Sequence, residues 1–120
     1  MTKCGRYGTY KENFDYSPST IRRSVERSLA RLHTTYLDVI YLHDVEFVAE
    51  AVLARPSGNH ISALTSEEKE YGLAEDQMGT VWGDGDRVFL DAITELRKMQ
   101  AEGLVKHIGI TGEQFCSSRI

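Results

Sequence analysis

Tyr36-Leu37-Asp38-Val39-Ile40-Tyr41-Leu42-His43-Asp44 decides the fold of this chain. The run from Asp38 to Leu42 is short and rich in β-branched residues, so it does not extend a helix. It also lacks clear alternation, the pattern expected of a parallel strand covered on both faces. The run stops abruptly at a histidine. Barrel enzymes keep their catalytic side chains at the carboxyl ends of parallel strands, which makes His43 the first candidate site residue. Judged from periodicity alone, a histidine in this place is more often a hydrogen-bonded structural residue, so its neighbours have to decide.

Directly upstream, Ser17-Pro18-Ser19-Thr20 has the form of a helix start. Ser17 can cap the free amides, and Pro18 suits the first helical position, where no intrahelical donor is needed. Ile21, Val25, Leu29 and Leu32 then recur at helical spacing, while Arg22, Arg23, Glu26, Arg27 and Arg31 fall away from that stripe, predicting one buried and one solvated face. The same unit returns downstream. Phe89, Ile93, Leu96 and Leu104 mark a helical face, Gly103 ends the helix, and Val105-Lys106-His107-Ile108-Gly109-Ile110 reads as a strand. Helix and strand, twice over, predict βαβ connectivity and an α/β fold.

Between the two units, roughly Val45 to Asp84, lie the turn-forming stretches Pro56-Ser57-Gly58-Asn59 and Gly79-Thr80-Val81-Trp82-Gly83-Asp84-Gly85. Glu50-Ala51-Val52-Leu53 and Ser66-Glu67-Glu68-Lys69-Glu70-Tyr71 are candidates for short helical pieces. A connection this long usually marks a functional loop or an insertion. The glycines of 79–85 follow no strand and lead to no Gly-Lys-Ser/Thr ending, so they are read as a turn into the helix near Asp86, not as a phosphate loop.

Composition narrows the function classes. The 120 residues are 41% hydrophobic and 27% charged, with a formal net charge of -4 and no Lys/Arg block. That balance suits one soluble domain and argues against a nucleic-acid or acidic-membrane partner. The N-terminal residues carry no apolar targeting region, and no run approaches the roughly 18 apolar residues of a membrane span. Cys4 and Cys116 are far apart in sequence and show no Cys-x-x-Cys spacing, so both are expected to be free thiols, and the expected location is cytoplasmic. No metal site is expected: His43-Asp44-Val45-Glu46 offers ligand types, but no second histidine stands at ligand spacing.

Thr2-Lys3-Cys4-Gly5, the block from Tyr16 to Leu32, the strand from Tyr36 to Asp44 and the unit from Leu96 to Gly112 together resemble the aldo-keto reductases, most closely the branch that oxidises free sugars such as arabinose or galactose. The order of the blocks, their spacing and the strand-end residues agree at once. The resemblance implies part of a (β/α)8 TIM barrel, from the end of strand three through strand five, with a long loop insertion at about 45–85. It also implies an oxidoreductase transferring a hydride between NADP or NAD and an aldehyde or aldose.

The family surrounds the reacting carbonyl with Asp, Tyr, Lys and His. Lys3 matches the lysine at the end of the third strand, and His43 the histidine at the end of the fourth. The aspartate and tyrosine lie before the lysine in the family and have no counterpart in this chain, so its site is expected to be incomplete. The tyrosine is the family's proton donor, and a nearby ammonium such as that of Lys3 would ease release of a phenol proton whose ordinary pKa is about 10. His43 would hold the carbonyl oxygen by a hydrogen bond. Thr111-Gly112 stands where the family has Ser-Asn, or Ser-Gly in the sugar-dehydrogenase branch, and Thr111 keeps the hydroxyl that contacts the nicotinamide amide.

Tyr7 and Tyr10 follow the lysine on an expected surface loop and are not assigned as the acid. Whole barrels of this type need about 250 residues, and a partial one leaves open strand edges that invite pairing. The rival reading is therefore a non-catalytic interaction module that associates through those edges, or a clipped gene model.

Overall fold

The strand around Val39 lies in the middle of a three-stranded parallel sheet. A computed structural model of the chain describes residues 1–50 and 65–112. In it β1 (Thr2–Cys4), β2 (Leu37–Leu42) and β3 (Val105–Ile110) run side by side in that order, joined through helices α1 (Pro18–Leu32) and α2 (Asp84–Ala101). Thr2, Lys3 and Cys4 pair with Ile40, Tyr41 and Leu42, and the last three pair in turn with Ile108, Gly109 and Ile110.

Side chains alternate across a strand, and this sheet uses its two faces differently. Cys4, Ile40 and Leu42 are fully buried and share one core with Ile21 and Val25 of α1 and Ala92, Leu96 and Met99 of α2. Lys3, Val39, Tyr41, His107 and Gly109 occupy the opposite face, where Lys3 and His107 are exposed and the others half-buried. The double-sided cover expected from the apolar run is thus present on the helix side only. A run without alternation suits a strand between two covers, and the described residues supply one of them.

Helix α1 starts at Pro18 as expected, but Ser17 does not cap it through its side chain. Asp15 organises that end instead. The Ser17 amide donates to Asp15 Oδ1 at 2.9 Å and the Thr20 hydroxyl donates to Asp15 Oδ2 at 2.8 Å. Hydrogen bonding from the Ser17 side chain, which contributes most, together with the Ser17 amide and the Thr20 hydroxyl, holds the Asp15 carboxyl below its ordinary range. The apolar stripe also stops short: Leu29 packs on the core, whereas Leu32 is 56% exposed. Nor is Arg22 simply solvated. Its guanidinium donates to Glu95 at 2.5 Å and to both oxygens of Glu102 at 2.8 and 2.9 Å, tying α1 to α2. Glu95 is buried, and a buried carboxylate requires such a partner.

Both helices end in the same way. The amides of Gly103 and Leu104 donate to the carbonyls of Gln100 and Met99, and the amides of His33 and Thr34 to those of Ala30 and Leu29. This double closure needs a left-handed residue after the last turn. Gly103 takes φ +82° at no steric cost, while His33 takes +52° with a side chain. A His33→Gly substitution is expected to stabilise the chain by about 0.5–1 kcal/mol, read as a higher urea midpoint; an unchanged or lower midpoint would count against it.

The connection from β2 to α2 is mostly turns. Short 3-10 turns occupy Val45–Phe47 and Glu75–Gln77. The helical piece expected at Ser66–Tyr71 is only a closed turn, because Gly72, at φ +72°, terminates it with hydrogen bonds from its own amide to Lys69 and from Leu73 to Glu68. Residues 51–53 of the other expected piece lie outside the described residues. Glu50 seats the start of α2: its carboxylate accepts the Gly85 amide at 3.0 Å, and its amide donates to Asp86 at 2.9 Å. Carboxylates are favoured there by the free amides and dipole of a helix N-terminus.

Candidate active site

The carboxyl ends of β2 and β3 bring His43 and Thr111 to one edge of the sheet. His43 follows β2 directly, and its amide donates to the Cys4 carbonyl at 2.9 Å, carrying the ladder one step past the strand. Thr111 follows β3 in the same way, its amide donating to the Leu42 carbonyl at 2.9 Å. Lys3 is not at a strand end. It is the central residue of β1, level with Tyr41 and one residue before the last rung, because pairing continues through Cys4 and Leu42. Alternation puts Lys3, Tyr41 and His43 on the same half-open face. Tyr41 packs over Gly109 in the next strand, where an added Cβ would lie 2.7 Å from its ring.

His43 and Asp44 are the most heavily anchored residues of this edge. The buried Tyr16 hydroxyl donates to the His43 carbonyl. Asp44 is 3% exposed, adopts a left-handed conformation at φ +55°, and pairs through Oδ2 with the Arg6 guanidinium. Its other oxygen, Oδ1, lies 3.5 Å from His43 Nε2. The Asp44 amide donates to Thr111 Oγ1 at 3.2 Å, and the Val45 amide to the Thr111 carbonyl at 3.1 Å. Residues after β1, β2 and β3 are thereby locked to one another. Beside them Arg6 lies 5.6 Å from the Phe14 ring centre, and Phe14 packs on Phe47 at 5.3 Å, forming a wall from the segments that follow β1 and β2.

Sequence reasoning missed Arg6, Tyr16 and Asp44 as parts of this edge. Asp44 adjoins His43 and could have been singled out, but Arg6 is 38 positions away and carries no local signal. Tyr7 and Tyr10 are 40% and 69% exposed on the segment after β1. Among the described residues, no group of three or more His, Cys, Asp or Glu side chains is placed to hold a metal ion.

A nicotinamide group can be tested against Thr111. Its oxygen accepts the Asp44 amide, which leaves the hydroxyl hydrogen free to donate to a carboxamide oxygen. A Cβ at Gly112 would meet only the tip of the exposed Glu46 side chain, at 2.8 Å, which can swing aside. The donor chemistry of this edge therefore fits the group.

Burial raises the Cys4 thiol to about 12, and burial, followed by the charges of Cys4, Asp44, Glu46 and Tyr7, raises the Tyr16 phenol. An acid whose pKa is raised by folding contributes stability that is complete below its unfolded value, here 9.0 for the thiol, and is lost as pH rises toward the folded one. The urea midpoint is expected to fall progressively above pH 9, and less steeply in Cys4→Ala. A flat profile up to pH 11 would contradict this account.

The described elements form a parallel βαβαβ unit, and the chain belongs to the Aldo/keto reductase family, whose sequence model matches residues 1–118. Among curated proteins it is similar to D-arabinose 1-dehydrogenase of Saccharomyces cerevisiae, 36% identical over 111 residues, and to L-galactose dehydrogenase of Arabidopsis thaliana, 32% identical over 111. Each alignment covers 92% of this chain but only 22% and 23% of those relatives, respectively. Among solved structures, the holo form of an aldo-keto reductase from Bacillus halodurans superposes with a TM-score of 0.52 at 22% identity, over 93% of this chain and 26% of that one, a likeness of fold. Among the described residues, no helix is long and apolar enough to cross a membrane.

Proposed function

We propose that these residues form the section of an eight-stranded β/α barrel from the end of its third strand through its fifth, in an oxidoreductase that moves a hydride between NAD(P) and a carbonyl or sugar substrate. The observation that carries this reading is the shared face of Lys3 and His43 at the edge where Thr111 offers its hydroxyl. A bound nicotinamide supplies or takes up the hydride. Thr111 donates to its carboxamide and so orients the ring. His43 holds the substrate oxygen, and the Lys3 ammonium stabilises negative charge developing on that oxygen or on a neighbouring phenol. The names of the relatives favour an aldose as substrate. A cytoplasmic location accompanies this reading, supported by the free, buried thiol of Cys4.

In this proposal Lys3 and His43 are two of four residues around the carbonyl, and residues 1–120 do not contain the aspartate and tyrosine. General acid catalysis contributes about 100- to 10,000-fold, so the 120-residue chain is expected to turn over aldoses at a small fraction of a complete enzyme's rate. Fluorescence titration with NADPH and NADH, coupled to turnover of arabinose, galactose and simple aldehydes, is the test. Weak nucleotide binding that weakens further in Thr111→Val, with negligible turnover, fits the proposal. Robust turnover by the chain alone would show that the site is complete, and undiminished binding by Thr111→Val would remove the role given to Thr111.

A further inference from the structure

The peptide units on the two sides of His43 are held in different ways. The one before it belongs to the sheet: the Leu42 carbonyl accepts the Thr111 amide and the His43 amide donates to the Cys4 carbonyl, both at 2.9 Å. The one after it lies beyond the last rung. In a regular parallel ladder the register would give the His43 carbonyl to the Arg6 amide and the Asp44 amide to the Thr111 carbonyl. The chain departs from that pattern on both sides. At Gly5, φ +98°, β1 turns out of the sheet, and Arg6 bridges to Phe14 in antiparallel fashion instead. Asp44 takes φ +55°, and the Thr111 carbonyl passes to the Val45 amide at 3.1 Å.

Side-chain hydroxyls stand in for both ladder partners. Tyr16 donates to the His43 carbonyl, and Thr111 Oγ1 accepts the Asp44 amide at 3.2 Å. That carbonyl and that amide are the two polar groups of one peptide unit. A backbone group leaving a ladder inside the protein needs such a replacement, and a strained residue such as Asp44 persists only where its surroundings impose the strain.

We propose that Tyr16 is a positioning residue for His43: its hydroxyl, with that of Thr111, clamps the peptide unit between His43 and Asp44 and so fixes the direction in which the imidazole leaves the backbone. Both peptide planes flanking the His43 Cα are then pinned, one by the ladder and one by the two hydroxyls. Which staggered rotamer a side chain can adopt depends on its backbone angles, so pinning both planes restricts the imidazole to one. Tyr16 is itself well placed to hold, being 2% exposed, part of the core and packed against Gly5. The catalytic use of the fixed imidazole rests on the function proposed above, whereas the clamp does not.

Tyr16→Phe keeps the ring and removes only the hydroxyl, and Thr111→Val does the same on the other side. Three-bond couplings from His43 Cγ to its backbone nitrogen and carbonyl carbon, measured on the 13C,15N-labelled 120-residue chain, report whether χ1 occupies one rotamer or averages over several. Expected are single-rotamer couplings in the unaltered chain and averaged ones in each variant, with His33 and His107 unchanged. Leu29→Val is the control: it loses packing on the core from α1 without touching this peptide unit, and should leave the His43 couplings as they are. Averaged couplings at His43 in the unaltered chain overturn the proposal whether or not the variants fold. A folded Tyr16→Phe that keeps single-rotamer couplings overturns it as well, and so does equal averaging in Leu29→Val, which would mark a general loss of stability. None of these readings involves nucleotide binding or turnover, so failure here is distinct from failure of the proposed function.

Discussion

Gly5→Ala is expected to cost this chain about 3 kcal/mol or more, adding the strain of a disfavoured backbone to an overpacked core. Gly5 takes φ +98°, where a side chain is strained whatever space surrounds it. Space is also lacking: a Cβ would lie 2.3 and 2.7 Å from two ring carbons of Tyr16, which is 2% exposed. The ring cannot move away freely, because its hydroxyl is bound to the His43 carbonyl. Nor can Gly5 shift easily, since its carbonyl accepts the Asp15 amide at 2.9 Å in the segment that begins α1. The loss should therefore reach the site edge as well as the core. Urea unfolding monitored by circular dichroism measures it. A loss below about 1 kcal/mol would mean that Tyr16 repacks and does not hold His43 as described.

Arg6→Gln should be nearly as damaging, by about 2–3 kcal/mol. Breaking a buried ion pair from one side typically costs about 3–5 kcal/mol, since the remaining charge is left without its partner. The Asp44 side chain is 4% exposed, but that of Arg6 is 27% exposed, so water can replace part of the guanidinium and the lower end applies. The cation over the Phe14 ring is lost at the same time. The asymmetry of the effect is its signature. Adding Asp44→Asn to Arg6→Gln removes the stranded charge, so the double variant should recover at least about 1 kcal/mol of the loss. If the double variant is less stable than Arg6→Gln, the pair is not held together by the charge of Asp44.

The elements of the fold were largely legible because they are local. Helical spacing from Ile21 to Leu29, the proline at the start of α1, the glycine after α2 and the β-branched runs before His43 and Thr111 each act over a few residues. Readings failed where a partner distant in sequence intervened. Ser17 has the right type for a cap, yet its side chain makes no capping bond, and Asp15 instead binds the Ser17 amide and the Thr20 hydroxyl. Arg22 looks solvated on a helical wheel, yet it bridges to Glu95 and Glu102 across 73 and 80 positions. Leu32 continues the apolar period but lies beyond the face that packs, and this limit belongs to the packing and not to the helix.

The candidate site divides along the same line. His43 was singled out because it ends a strand whose pattern can be read without its neighbours, whereas Thr111 was named only through the resemblance. Lys3 was found through resemblance, since a lysine in a three-residue strand carries no periodic signal, and its level one residue below the strand end became visible only in the register with Tyr41. What the sequence by itself determined was the order of strands and helices, the family, and which residue types stand at the strand ends. What only the tertiary structure decided was how those ends are tied together. Arg6, Tyr16, Asp44 and Thr111 come from separate segments, and hydrogen bonds and charge pairs between them exist only once parallel pairing sets the strands side by side.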